Sequence, residues 1–335
     1  MHTKVLFTIA MAAALLAAAS SSRAQSNWTG SVSNSWFISE NWIGGVPRQT
    51  TDANIDTVTP NSTEIRGAGA QAQNLSVGSN RTGMLVILPP GTLNTSFGTI
   101  GNLPGGLGTV TVSGAGANWS NAGSIVVGGQ GTGMLTIQDG GTLSSGNGSV
   151  GLAAGSTGTV TVTGPGSSWI NGTSGGLNIG SFGTGSLTIT NGGTVNNTIA
   201  NIGNAAGSVG TVRVAGAGSS WTNIVGLNIG NSGTGTLTIA EGGVVNGPVR
   251  IATNPGAIGI LNIGAGAGAP AAAPGTLTAA SIAFGAGTGA INFNHTSADY
   301  VFAPAITGNG TVNVLAGITI PVSYTHLTLP TNREV

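Results

Sequence analysis

The chain reads as an all-β solenoid, a stack of parallel β-helical coils about 25 residues long, and three observations predict it. The phrase T-G-x-L-x-I recurs at Thr82, Thr132, Thr184 and Thr234, in steps of 50, 52 and 50 residues. A second phrase, G-x-G-x-x-W, ends at Trp119, Trp169 and Trp221, in steps of 50 and 52. Two unrelated markers that step together mark a true repeat, and a period of that length is the signature of a solenoid whose units bury their apolar faces against one another. The third observation is the pattern inside a unit. Between Gly176 and Val225 the apolar residues fall in short alternating runs (GLNIG, TGSLTIT, GGTVNN, IANIG, GTVRV, SSWTN). Period-two alternation of β-branched and aliphatic residues predicts half-buried strands. The N-G-G, G-T-G and G-A-G between them are turn chemistry.

Six strands in some fifty residues divide into two coils of three strands each. Leu177, Ile179, Leu187, Ile189 and Val195 are expected to point inward, as are Leu227, Ile229, Leu237, Ile239 and Val245 one unit later. At about 4.8 Å between stacked strands, some twelve coils make a rod on the order of 55–60 Å long.

Residues 1–24 have the form of a secretory signal peptide: Lys4, an apolar run from Val5 to Ala19, and Ser22-Arg23-Ala24 as a small-x-small site, so that cleavage is expected between Ala24 and Gln25. The run is short of the ~20 residues a membrane span needs. Residues 25–73 are assigned to an N-terminal cap. Its segment from Trp28 to Ile55 breaks the repeat and holds Trp28, Trp36 and Trp42. An open solenoid end exposes unpaired strand edges and needs such a cover. The fifty-residue repeats occupy 74–253, and further coils 254–321. Residues 322–331, VSYTHLTLPT, fit nothing before them and resemble the in-frame translation of a transposase-type sequencing adapter. On that reading the natural protein continues past Pro321, and 322–335, with Tyr324, His326, Arg333 and Glu334, carry no argument.

Composition excludes several classes of function. There is no cysteine, hence no disulfide framework and no thiolate metal site. From Asn74 to Pro321 the only ionised side chains are Arg81, Asp139, Arg213, Glu241, Arg250 and Asp299, and the single lysine lies in the signal peptide. Nucleic-acid binding needs several basic contacts to phosphate, so no nucleic-acid partner is expected. The 61 glycines do not make the chain disordered, because 39% of it is hydrophobic and its net charge is zero.

The opening W-x7-W-x5-W-x-x-G-x-P, followed by Asp52 and Ile55, resembles the start of bacterial type V autotransporter passenger domains. The phrases G-T-V-T-V, G-x-G-x-x-W, L-N-I-G and T-G-x-L-T-I are similar to repeats shared by autotransporter and PEP-CTERM-associated proteins. Residues Ala290 to Gly317 resemble the passenger segment that precedes a translocator barrel. The resemblance implies a right-handed β-helix exported to the cell surface, with an adhesive or structural role and a translocator barrel C-terminal to the present sequence. A barrel needs at least eight strands with an apolar outer face, and the sequence supplies none. A matrix protein sorted by a PEP-CTERM-type signal is the alternative, and a β-helix carbohydrate-active enzyme the remote one.

Chemistry-bearing residues are sparse, and no catalysis, cofactor or metal is expected. Gly172 to Gly176 match the nucleophile-elbow pattern around Ser174, but without the following helix and the His and Asp partners that pattern requires. His295, near Asp299 and Tyr300, is a lone histidine, and a metal site wants three or four converging ligands. Asp139 and Glu241 hold equivalent repeat positions about four coils apart, roughly 19 Å, too far for paired carboxylate chemistry. Trp119, Trp169 and Trp221 remain as the candidate ligand or partner contact. In a column about 9–10 Å apart they would, if exposed, stack on a polysaccharide or a cell-surface partner; if buried, they would close a corner of the solenoid over the G-x-G turn.

Overall fold

Each turn of the chain lays down one long strand and two short ones. The computed structural model describes residues 23–172 and 175–321. A representative coil consists of Leu107–Ser113, Asn118–Asn121 and Ser124–Val127, and the next of Thr132–Gln138, Thr142–Ser145 and Asn147–Val150. The long strands form one parallel sheet of eleven, from Thr63–Ile65 to Thr311–Ala316. The short strands form the other two faces, joined in a second sheet of eighteen. Among the described residues the sole helical element is the 3-10 turn Ser39–Asn41, and no helix is long and apolar enough to cross a membrane. The fold is thus the all-β parallel solenoid expected. Leu107 pairs with Thr132 and Thr132 with Thr157, so a coil is 25 residues and the fifty-residue repeat is two of them.

The reason for T-G-x-L-x-I is steric as well as hydrophobic. In Thr157–Thr163 exposure alternates residue by residue, with Val160 and Val162 facing the interior. Gly158 faces inward too, and a Cβ there would stand 2.2 Å from the Val127 carbonyl oxygen, at the end of the coil that begins at Leu107. Only glycine allows that approach, which explains why the residue after the threonine never varies among the repeats. All ten aliphatic side chains expected inside, from Leu177 to Val245, are buried at 1% exposure or less.

Residues 25–73 contain both a cover and the first coils. Gln25–Trp28 pairs in parallel with Asp52–Ile55 and antiparallel with Trp42–Ile43. Trp42 stacks edge-on against Trp28 and Trp36, with ring centroids 5.0 and 4.8 Å away, and its Nε1 donates to the Trp36 carbonyl at 2.7 Å. The outer edge of Thr63–Ile65 is covered by the 34–36 segment: Glu64 N–H donates to Asn34 O at 2.6 Å, and Trp36 N–H donates to Glu64 O at 2.9 Å. At the other end, Thr311–Ala316 pairs only with Thr288–Asn294 among the described residues, and its Val314 and Leu315 are exposed.

Candidate functional site

The tryptophans singled out by the repeat are interior, which corrects the expectation of a ligand-stacking row. Trp119, Trp169 and Trp221 are each 0% exposed. Their column on the second face runs Ala70, Leu93, Trp119, Leu143, Trp169, Val195, Trp221, Val245, in register from coil to coil, so each indole lies between two aliphatic side chains.

Each ring tilts toward the preceding coil, not onto the G-x-G turn. Trp119 Nε1 donates to Thr95 Oγ1 at 2.9 Å, Trp169 Nε1 to Ser145 Oγ at 3.0 Å, and Trp221 Nε1 to Asn197 Oδ1 at 2.8 Å. These acceptors bond onward to the asparagine two residues after each tryptophan. Thr95 and Ser145 donate to Asn121 and Asn171, and Asn197 Nδ2 donates to Asn223, all at 2.7 Å. A buried indole N–H left unpaired costs about 1–3 kcal/mol, so this polar chain inside the corner is a condition for having tryptophan there.

Space for the rings comes from the third face. Its interior column runs Leu75, Gly98, Ile125, Gly148, Leu177, Ala200, Leu227, alternating large and small. A Cβ on Gly98 would lie 2.6 Å from Trp119 Cζ2, and one on Gly148 2.6 Å from Trp169 Cζ2. The sequence signal was available: a small residue stands 21 positions before each tryptophan, at Gly98, Gly148 and Ala200, and a hydrogen-bonding residue 24 positions before.

The reactive side chains do not converge. Asp139 and Glu241 both sit at left-handed turn positions, with φ of 54° and 52°, and Asn191 holds the same place between them. Asp139 accepts from Ser113 Oγ, and Glu241 pairs with Arg213 at 2.7 Å on the surface. His295 is wholly buried, its Nε2 2.8 Å from Thr319 Oγ1 and its ring 5.0 Å from that of Tyr300. Desolvation pushes its pKa below 6.5, partly opposed by the Ser297 backbone. Burial raises the Tyr300 hydroxyl, which donates to Gly275 O, to about 12. Asp299 is exposed and bonded to Ser297. No group of three His, Cys, Asp or Glu able to hold a metal occurs among the described residues. Ser174 lies outside them, as do residues 1–22 and 322–335. Ala24 and Gln25 are exposed, at the start of the first strand.

A feature that the sequence did not reveal is a concavity of about 390 Å³ on the second face, spanning the coils from Gln71 to Ser144. Its floor is the outward column Gln71, Asn94, Ser120 and Ser144, one residue per coil. The next residue of that column is Ile170, 49% exposed, which ends the polar strip.

The fold and these sites define a parallel β-solenoid with a hydrocarbon and indole interior. No family model matches the chain, and no curated protein does. Among solved structures it is similar to the crystal structure of a TibC-catalysed, hyper-glycosylated fragment of TibA. The two are 20% identical, over 81% of this chain and 96% of that one, with a TM-score of 0.32. At that level of overlap the likeness carries no argument about activity.

Proposed function

We propose that the chain is a non-catalytic, surface-displayed or secreted passenger: a stalk or adhesin-like structural unit of an autotransporter-type protein, with a polysaccharide or cell surface as partner. The observation that carries this reading is the uninterrupted stack of coils. Eleven long strands follow one another with an apolar interior, and no convergent ionisable groups interrupt them among the described residues. Such an array is stabilised by neighbour-to-neighbour packing and presents long, nearly uncharged faces, the properties of a spacer or a contact surface. The signal-peptide pattern at 1–24 supports export, and the passenger-like motifs at the N-terminal end support the autotransporter assignment.

The test is localisation in the native organism, with an antibody to the repeats, together with attachment assays on a deletion strain. Labelling of intact cells and loss of attachment on deletion are expected. Label confined to the cytoplasm sinks the reading, and label confined to the exopolysaccharide fraction replaces it with the matrix-protein alternative. Release of reducing ends from a polysaccharide by the purified chain, abolished in Asp139→Asn or Glu241→Gln, would overturn the absence of catalysis.

A further inference from the structure

We propose that the concavity spanning Gln71 to Ser144 is a binding site for a neutral oligosaccharide. Its four floor residues lie three inter-coil steps apart end to end, roughly 14 Å, so it suits an extended ligand lying along the stack. No residue lining it is ionisable, which leaves nothing to hold a polyanion. What the site offers is carboxamides and hydroxyls: Gln49, Gln71 and Asn94, with Ser120 and Ser144, whose hydroxyls lie 3.1 Å apart. Each carboxamide supplies two donors and an acceptor, a set that matches vicinal hydroxyls better than any charged group.

Gln71 and Asn94 behave differently from the amides stacked along other columns. Along other columns amides pair from coil to coil, as in Asn178–Asn201–Asn228 and Asn262–Asn292–Asn313, with bonds of 2.8–2.9 Å. Gln71 and Asn94 are register partners on adjacent coils, yet their side chains make no such bond. Asn121, 4% exposed, backs the same site from the interior, where its Oδ1 accepts from Thr95 as Asn171 Oδ1 accepts from Ser145 one repeat later. Phe97, next in the chain to Ser96 of the lining, is 53% exposed with its ring over Gly123, and gives the site an apolar rim for a sugar face. A peptide strand is disfavoured as occupant, because three of the four floor strands, those of Asn94, Ser120 and Ser144, are paired on both sides and offer no free backbone edge.

The inference rests on the passenger reading for its biological setting, but its test does not. The purified full chain is titrated calorimetrically with maltohexaose, cellohexaose and hexagalacturonate, alongside Ser120→Leu/Ser144→Leu, Asn94→Ala and, as a control far from the site, Phe182→Ala. Saturable binding of a neutral hexasaccharide is expected, with the charged one not binding. The double variant should bind about tenfold or more weaker and Phe182→Ala as the parent does. If the double variant folds poorly, Asn94→Ala carries the test, since its exposed side chain supports no contact whose loss would unfold the coil. No saturation with either neutral sugar overturns the proposal, as does equal binding of hexagalacturonate or undiminished binding by the floor variants. Those results would leave the localisation experiment untouched, and failed surface labelling would leave this titration untouched.

Discussion

Coils that carry a tryptophan and coils that carry an aliphatic residue in its place have the same backbone and opposite ways of filling it. In the Trp169 coil the second face supplies an indole and the third face Leu177. In the coil before it, the second face supplies Leu143 and the third face Gly148. Neither coil is well packed alone, because the indole projects beyond its own coil and Gly148 leaves its coil short of side chain. The pair is the packing unit, and this is why the sequence repeats every fifty residues while the backbone repeats every 25. Interiors packed to crystalline density tolerate neither a gap nor an overlap of this size, so the two residue types must alternate in step.

Disrupting the alternation from the large side should have the greatest effect. Trp169→Ala empties the space above Gly148 and is expected to cost about 3–5 kcal/mol, read as a lower denaturation midpoint. From the small side, Gly148→Leu pushes a side chain into Trp169 and Leu177 and should cost roughly 1–3 kcal/mol or more. The two positions can also be exchanged together: Trp169→Leu with Gly148→Leu should be less destabilised than the sum of the single variants, by about 0.5–3 kcal/mol of coupling. Additive costs would show that the two positions do not share one space.

Smaller effects test the polar chain beneath the ring. Ser145→Ala leaves Trp169 Nε1 and Asn171 Oδ1 without their partner, and should cost about 1–3 kcal/mol in the same denaturation experiment. Leu143→Val, in an aliphatic coil with no such chain, should cost less, in the range of about 0.5–1.5 kcal/mol for the loss of one methylene group.

The tryptophan-sealed beginning of the solenoid differs in another way from the coil around His295. Burial holds that imidazole neutral in the folded state, with its pKa depressed below the ordinary 6.5. The unfolded chain therefore binds more protons over the window below 6.5, and stability falls as pH drops through that window, while above it the group makes no difference. Tyr300, raised to about 12, stays protonated throughout and does not mask the effect. Hydrogen-exchange protection factors, which are corrected for the intrinsic pH dependence of exchange, should fall in residues 288–321 on acidification from pH 7 to 5, whereas those of residues 25–55, which contain no histidine, should not follow. A parallel response of both segments would trace the pH dependence to some other group.

Legibility followed the range of the interactions. The period of the markers and the alternation within strands are local or regularly spaced, and together they set the coil length and the inward side chains. Cross-coil partners were harder to read. Gly98, Gly148 and Ala200 look like turn or filler residues in the linear sequence, and they acquire meaning only when the tryptophan 21 residues later is placed above them. The same gap left the tryptophans open as either a ligand row or a corner filling: an indole at a regular spacing has the same signature whether it faces water or the interior.

Periodicity and composition were enough to establish the all-β class, the three-strand coil, the inward aliphatic set and the poverty of charge, because they act through nearest neighbours along the chain. The burial of the repeat tryptophans over the small residues Gly98, Gly148 and Ala200 of the coil below came from the folded stack alone. So did the meeting of the free carboxamides of Gln71 and Asn94 in one concavity. Both outcomes depend on where a side chain tilts once coils stack about 4.8 Å apart, and that direction is set by the room its neighbours leave.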